Sequence, residues 1–90
     1  MNIIKSDKAH YVLDENNNRI AEITYVESDK SMIIIDHTFV DESLRGQGIA
    51  SKLVASVVEE MKKQNKKIVP LCPFAKSEFD RVPEYQSMLK

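Results

Sequence analysis

The two glycines of this 90-residue chain lie two positions apart, in the segment Leu-Arg-Gly-Gln-Gly-Ile-Ala of residues 44–50. A β-prone run precedes the segment and an amphipathic stretch follows it. Glycine admits backbone conformations and close approaches that other residues resist. The start of a helix presents unpaired N–H groups and the positive end of the helix dipole. The segment therefore predicts a phosphate-binding loop between a strand and a helix, to which Arg45 adds a permanent positive charge.

Two common phosphate-binding motifs do not fit this loop. A Walker A loop requires GxxxxGK followed by Ser or Thr, and that string is absent. A dinucleotide fingerprint requires a third glycine where this chain has Ser51, and also a larger parallel sheet than a chain of this size offers. A glycine-bearing turn that binds no ligand is the alternative interpretation.

Cys72 and His37 are the candidate catalytic residues. Cys72 directly precedes a proline that suits the first turn of a helix, and a helix N-terminus stabilises a thiolate, so Cys72 could act as a nucleophile. His37 could act as a base, because imidazole titrates near neutrality; we expect it on the strand face that Ile35 and Phe39 share. A small buried thiol and a hydrogen-bonded structural histidine are the competing interpretations. Neither histidine has partners of metal-ligand type, so we predict no metal.

The composition describes a single small globular domain over residues 1–90. Hydrophobic residues make up 42% of the chain and charged residues 30%, which is not the signature of disorder. The net charge of −1 gives no electrostatic case for binding nucleic acid or an acidic membrane. No apolar run approaches the ~20 residues of a transmembrane helix, and the first residues do not resemble a signal peptide. A single cysteine excludes an intrachain disulfide, so a cytoplasmic location is expected.

The first half of the chain predicts a meander of antiparallel strands. Ala9–Leu13, Arg19–Glu27 and Ser31–Val40 are rich in apolar and β-branched residues, and turns containing Asp, Asn or Ser separate them. Ser31–Val40 has apolar residues on both faces, which is typical of a central strand. A later strand, Ile68–Leu71, contains Pro70, which removes a ladder donor and so favours an edge or a splayed position.

Gly48 to Gln64 predicts a long amphipathic helix, since its apolar residues recur on one helical stripe. Shorter helices are predicted over Phe74–Arg81 and from Pro83 onward. The fold class is therefore compact α+β: a mainly antiparallel sheet, one long helix packed across it and short C-terminal helices. So small a core and an exposed strand edge predict a monomer or a weak homodimer.

The string Arg45–Ala50 resembles the R-x-x-G-x-G/A pyrophosphate loop of the Gcn5-related N-acetyltransferases (GNAT), in its strand-to-helix context as well as its letters. Residues 36–38, Leu71–Ala75 with Phe79, and residues 83–85 further resemble the small GNAT-like subfamily described as the YjdJ type. The resemblance implies a GNAT-like fold, binding of acetyl-CoA, and transfer of its acetyl group to an amine on a small molecule or a protein.

The resemblance also implies roles for particular residues. Phe39 and Val40 would offer main-chain contacts to pantetheine, and Cys72 and His37 would lie near the thioester. The strand Ile68–Leu71 would splay away from its neighbour to open the cofactor cleft. The pyrophosphate would be held by Arg45 and by the backbone amides of Gly46, Gln47, Gly48, Ile49 and Ala50.

The chain departs from standard members of that family in its length. They have one or two helices between the first two strands, whereas the residues between Leu13 and Arg19 form only a turn here. The coenzyme-binding half of the family pattern is present, and the half that shapes the acceptor site is largely missing. A non-catalytic coenzyme A-binding module or partner-dependent sensor is therefore the alternative to an N-acetyltransferase, and an interaction domain with a vestigial loop is a third.

Overall fold

A computed structural model describes residues 2–90 of the chain. Five strands form one sheet in the order β1-β2-β3-β4-β5, which is also their order along the chain. The first four strands pair antiparallel, and β4 pairs with β5 in parallel. The sheet is thus mixed but mainly antiparallel, as the sequence predicts. The strands are β1 (Ile4–Lys5), β2 (Ala9–Leu13), β3 (Arg19–Asp29), β4 (Met32–Val40) and β5 (Lys67–Pro70).

The long helix α1 (Ile49–Lys63) connects β4 to β5, and α2 (Pro73–Arg81) follows β5. The predicted helix bounds differ from these only at the ends, where Gly48 and Gln64 are the caps of α1. Short 3₁₀ helices cover Glu42–Leu44 and Pro83–Met88. Within residues 2–90, none of the helices combines the length and apolarity needed to cross a membrane.

The β2–β3 connection shows how the sequence sets the hairpin. The Asp14 carboxylate accepts hydrogen bonds from the backbone N–H groups of Asn16 and Asn18 at 2.8 and 2.9 Å. Asn17 takes the left-handed conformation, with φ 64°. Asn tolerates that conformation and Asp closes such turns with its side chain, so this stretch of five polar residues folds as the predicted turn.

One face of the sheet carries the core. The inward side chains of β2, β3, β4 and β5 pack against α1, whose apolar stripe is buried as predicted, and α2 contributes Ala75 and Phe79. The alternation of buried and exposed residues along β3 follows the period-2 pattern of a half-covered strand. The fully buried residues include Ala21, Ile23, Ile33, Ile35, Leu53, Val54, Val57, Ile68 and Ala75.

Two elements were not predicted. The first is β1, a two-residue strand that pairs with β2 through Ile4 and Lys5 and carries no periodic signal of its own. The second is the 3₁₀ helix at Glu42–Leu44, which lies between the end of β4 and the glycine loop.

A buried polar cluster ties α1 to the sheet. The side chain of His10 is fully buried, with Nδ1 2.8 Å from Ser56 Oγ and Nε2 3.5 Å from the Tyr25 hydroxyl. The Ser56 hydroxyl donates to the carbonyl of Leu53, so its oxygen is free to accept from His10 Nδ1–H. The Tyr25 hydroxyl donates to the carbonyl of Ser6. His10 Nδ1–H therefore has an acceptor within the fold, while the Tyr25 proton is committed to Ser6 rather than to Nε2.

The stability of the protein should fall in mild acid because of His10. Burial lowers the pKa of His10 from its ordinary value of 6.5, the nearby Lys5 lowers it further, and Glu60 opposes the change. The unfolded chain therefore binds a proton more readily, so the stabilisation is complete above pH 6.5 and is lost as the pH falls below it. Urea unfolding across that pH range should show this decline, and His10→Gln should flatten it. An unchanged pH dependence in the variant would contradict the assignment.

Candidate functional site

The candidate site begins where β4 and β5 separate. Their parallel pairing runs only from Met32 to Ile35 on β4, and Pro70 is the last residue of β5 to take part. The next two N–H groups, of Leu71 and Cys72, both donate to the Ile35 carbonyl, at 3.0 and 3.2 Å. The chain then turns into α2 while β4 continues to its end without β5 beside it. This geometry agrees with the predicted splay, and with the edge position expected of a strand that contains proline.

A β-bulge at Asp36 changes which β4 side chains face this cleft. Thr24 of β3 pairs with His37, but the next residue, Tyr25, pairs with Ile35, so Asp36 is an extra residue on β4. An extra residue reverses the alternation of faces beyond it. The Asp36 carboxylate instead accepts a hydrogen bond from the Thr24 hydroxyl at 2.6 Å.

The expectation that His37 shares a face with Ile35 is therefore wrong. Its side chain is 56% exposed on the outer face of the sheet, where Nε2 lies 3.7 Å from a carboxylate oxygen of Glu22. Phe39 follows it on that outer face and is 42% exposed. Thr38 and Val40 take the inner positions instead. The structure thus separates His37 from the thiol with which the sequence analysis grouped it.

Cys72 lies at the inner side of the cleft, as the N-cap residue of α2. Its sulfur accepts a hydrogen bond from the Ala75 N–H at 3.3 Å and lies 3.1 Å from the Thr38 hydroxyl. The side chain is buried, with 7% of the residue exposed. The Ala75 N–H therefore donates to the sulfur at the start of α2, and the Thr38 hydroxyl lies within hydrogen-bond distance of it.

The residues after β4 hold the glycine loop in place. The Asp41 N–H donates to the Ile20 carbonyl of β3, and the Asp41 carboxylate caps the 3₁₀ helix by accepting from the amide and hydroxyl of Ser43. These two hydrogen bonds lower the pKa of Asp41, so the cap is charged at neutral pH. Leu44 is buried in the core and anchors the segment immediately before the loop.

Both glycines take left-handed conformations, with φ 84° at Gly46 and 71° at Gly48. A Cβ atom built at either position would meet no atom within 4 Å, so the backbone angle rather than crowding calls for glycine there. Two loop amides are used internally: Arg45 N–H donates to Glu42 and Gln47 N–H donates to Leu44, the latter at a long 3.4 Å.

The remaining loop amides have no backbone acceptor among the described residues. Of the residues expected to hold a pyrophosphate, Arg45 and Gln47 have their own N–H groups engaged within the loop, which leaves their side chains to contact a ligand. The first turn of α1 leaves the Ser51 N–H free as well, one residue beyond the predicted loop. The free N–H groups belong to Gly46, Gly48, Ile49, Ala50 and Ser51.

A cavity of ≈220 Å³ lies against this loop. Its walls join the end of β4, the loop, the first turn of α1 and one residue of α2. The lining is predominantly apolar, and its polar members are Arg45, Ser51 and the two glycines. No ligand contact was predicted for Leu44, Ser51 or Phe74, which also line it. The cavity is lined by Val40, Leu44, Arg45, Gly46, Gly48, Ile49, Ala50, Ser51 and Phe74.

A larger cavity of ≈480 Å³ lies at the opposite end of α1, beside the β1–β2 connection. It contains an ion pair between Lys66 and Glu27, whose charged atoms are 2.8 Å apart. The C-terminal end of a helix dipole is negative and offers no free N–H groups to an anion. The smaller cavity at the N-terminus of α1 is therefore the candidate phosphate site. Among the described residues, no group of three or more His, Cys, Asp or Glu side chains could hold a metal ion.

Several solved structures share this architecture. A GCN5-like putative N-acetyltransferase from Staphylococcus aureus is 39% identical, with a TM-score of 0.82, over 99% of this chain and 87% of that one. Tetrahymena GCN5 is 17% identical with a TM-score of 0.66, over 81% of this chain and 48% of that one. YhbS from Escherichia coli, a GNAT family N-acetyltransferase solved with CoA, is 23% identical with a TM-score of 0.66, over 79% of this chain and 43% of that one.

No curated protein matches the chain. The profile of the GCN5-related N-acetyl-transferase family matches residues 9–88, which include every strand from β2 onward, both α-helices and the glycine loop. With this match and the similarity to the Staphylococcus aureus protein, the chain belongs to the GCN5-related N-acetyltransferase family.

Proposed function

We propose that this protein binds acetyl-CoA and transfers its acetyl group to an amine. The observation that carries the proposal is the continuity of three features: a loop of free amides at a helix N-terminus, an open strand edge, and a thiol at the inner end of the cleft. A ligand with a diphosphate, a polar extended arm and a reactive end has these same three parts. The CoA in the structure of YhbS supports this choice of ligand.

The diphosphate would occupy the cavity at the start of α1. The free N–H groups there supply hydrogen bonds, and the helix dipole and Arg45 supply positive charge. Beyond Ile35, the edge of β4 that β5 leaves is available for main-chain hydrogen bonds to the pantetheine amides, which run along Phe39 and Val40. The outward direction of the Phe39 side chain does not affect this role, since it is a backbone one.

The acetyl group would arrive beside Cys72. The thiolate sulfur attacks the thioester carbonyl, the bond from that carbon to the coenzyme sulfur breaks, and coenzyme A leaves with the proton that Cys72 gave up. The amine then attacks the S-acetyl carbon, the bond from that carbon to the Cys72 sulfur breaks, and the proton that the amine loses restores the Cys72 thiol. Thr38 and the Ala75 N–H stabilise the sulfur in both steps. His37 has no part in this transfer because it lies on the other face of the sheet.

We further assign the protein to the small YjdJ-type subfamily and to a monomeric or weakly dimeric state. We place it in the cytoplasm, where its single thiol stays reduced.

The rival function is a coenzyme A-binding module without turnover. The five-residue turn between Leu13 and Arg19 favours this rival, because no helix there can shape an acceptor site. Calorimetric titration with acetyl-CoA tests what both functions share, and acetylation separates them.

Substitutions at Gly48 should separate the shape of the loop from the approach of the ligand. Gly48→Asn keeps the left-handed conformation at modest cost and should leave thermal unfolding nearly unchanged. Its side chain projects into the space that a diphosphate would fill, so we expect about tenfold weaker acetyl-CoA binding by calorimetry. Gly48→Val should weaken binding and also cost about 1–2 kcal/mol of stability, since a β-branched residue resists a positive φ. Wild-type affinity in both variants would refute the loop assignment.

Incubation with acetyl-CoA should leave one acetyl group on Cys72, detected by peptide mass spectrometry together with released coenzyme A. Cys72→Ala should abolish the adduct while acetyl-CoA still binds, because the loop is untouched. His37→Gln is the matched control and should acetylate at the wild-type rate. Binding without an adduct and without coenzyme A release would favour the non-catalytic module. Release without an adduct would indicate direct transfer to the amine.

A further inference from the structure

We propose that Phe74 is a further ligand-binding residue, whose ring packs against the apolar face of the pantetheine arm of coenzyme A. This inference rests on the proposed function and adds a second element, α2, to a site that the loop and α1 otherwise form. Phe74 is the one cavity-lining residue that lies outside residues 40–51.

The exposure of Phe74 is unusual for its helix. Ala75 and Phe79, its apolar neighbours in α2, are 0% and 1% exposed, whereas Phe74 is 37% exposed. An aromatic ring left partly in water gives up hydrophobic stabilisation that burial would provide. The exposed part of this ring faces a cavity, so a bound molecule can complete its burial.

The position of Phe74 fixes which part of the ligand it meets. It follows Cys72 by two residues, so it lies close to the reacting end, while Gly46 and Gly48 line the same cavity at its polar end. A ligand that binds at the free amides and extends through the cavity toward α2 therefore meets the ring. In coenzyme A the segment between the diphosphate and the sulfur is pantetheine, which carries two methyl groups and several methylenes.

Leu71 offers a matched control. It is also an apolar residue at the β5–α2 junction and is 65% exposed, but it does not line the cavity. General loss of apolar surface at this junction would affect both residues alike. Ligand contact would affect Phe74 alone.

The test is calorimetric titration of wild type, Phe74→Ala, Phe74→Leu and Leu71→Ala with two ligands. One is coenzyme A, and the other is its nucleotide half, 3′-phosphoadenosine 5′-diphosphate, which keeps the diphosphate but lacks pantetheine. We expect Phe74→Ala to bind coenzyme A about tenfold more weakly, since part of an aromatic surface loses its partner. The same variant should bind the nucleotide half as wild type does. Phe74→Leu should fall in between, and Leu71→Ala should match wild type.

Each other result has a definite meaning. Equal affinity of wild type and Phe74→Ala for coenzyme A overturns the inference and leaves the proposed function standing. If Phe74→Ala binds coenzyme A and its nucleotide half more weakly by the same factor, the inference is also overturned, because the ring would then support the loop rather than contact pantetheine. A wild-type protein that binds neither ligand refutes the proposed function itself, and the inference with it.

Discussion

The site depends on one carbonyl group, that of Ile35. It accepts hydrogen bonds from both Leu71 and Cys72, which a carbonyl can do because it has two lone pairs. Leu71 donates to Ile35 in the same register as Lys67 donates to Ser31, so Pro70, which lies between two ladder donors, costs no hydrogen bond to β4, and it is the additional N–H of Cys72 that breaks the register. The doubled hydrogen bond ends β5 at this point and turns the chain into α2. The free edge of β4 and the placement of Cys72 beside Thr38 both follow from that ending.

The glycine loop is held in place by the residues and elements on either side of it. Asp41 hydrogen-bonds β3 and caps the 3₁₀ helix, Leu44 is buried in the core, and α1 is fixed to the sheet by its apolar stripe and by His10. The amides between these anchors are therefore fixed in direction before a ligand binds. N–H groups that have no protein acceptor are a cost in a buried site, and here they face an open cavity where water or an anion can accept. A preformed loop of this kind binds without an ordering cost.

Local chemistry made much of the fold predictable from the sequence. Asp14 and its asparagines define a turn, the 3.6-residue stripe defines α1, and Pro70 indicates the end of the parallel pairing. The bulge at Asp36 was not predictable, because the pattern of apolar residues from Met32 to Val40 fits a regular strand as well as a strand that contains one extra residue. That one residue moved His37 out of the site and brought Thr38 into it. The short strand β1 was missed for a related reason, since two residues show no period.

A small domain can form this site because its parts have separate sources of stability. The cavity lies at the ends of elements whose bodies are buried, and its lining joins two core residues, Leu44 and Ile49, to the glycine loop. In the proposed site, polar recognition would come from the start of α1 and apolar contact from the start of α2. These two helices contact each other, and both pack on β4 and β5, so their starts are held in a fixed relation without a dedicated acceptor domain. A ligand that spans both would stabilise the folded state in proportion to the logarithm of its concentration. Ligand binding and folding would thus be linked at the point where β4 and β5 separate, after Ile35 and Pro70.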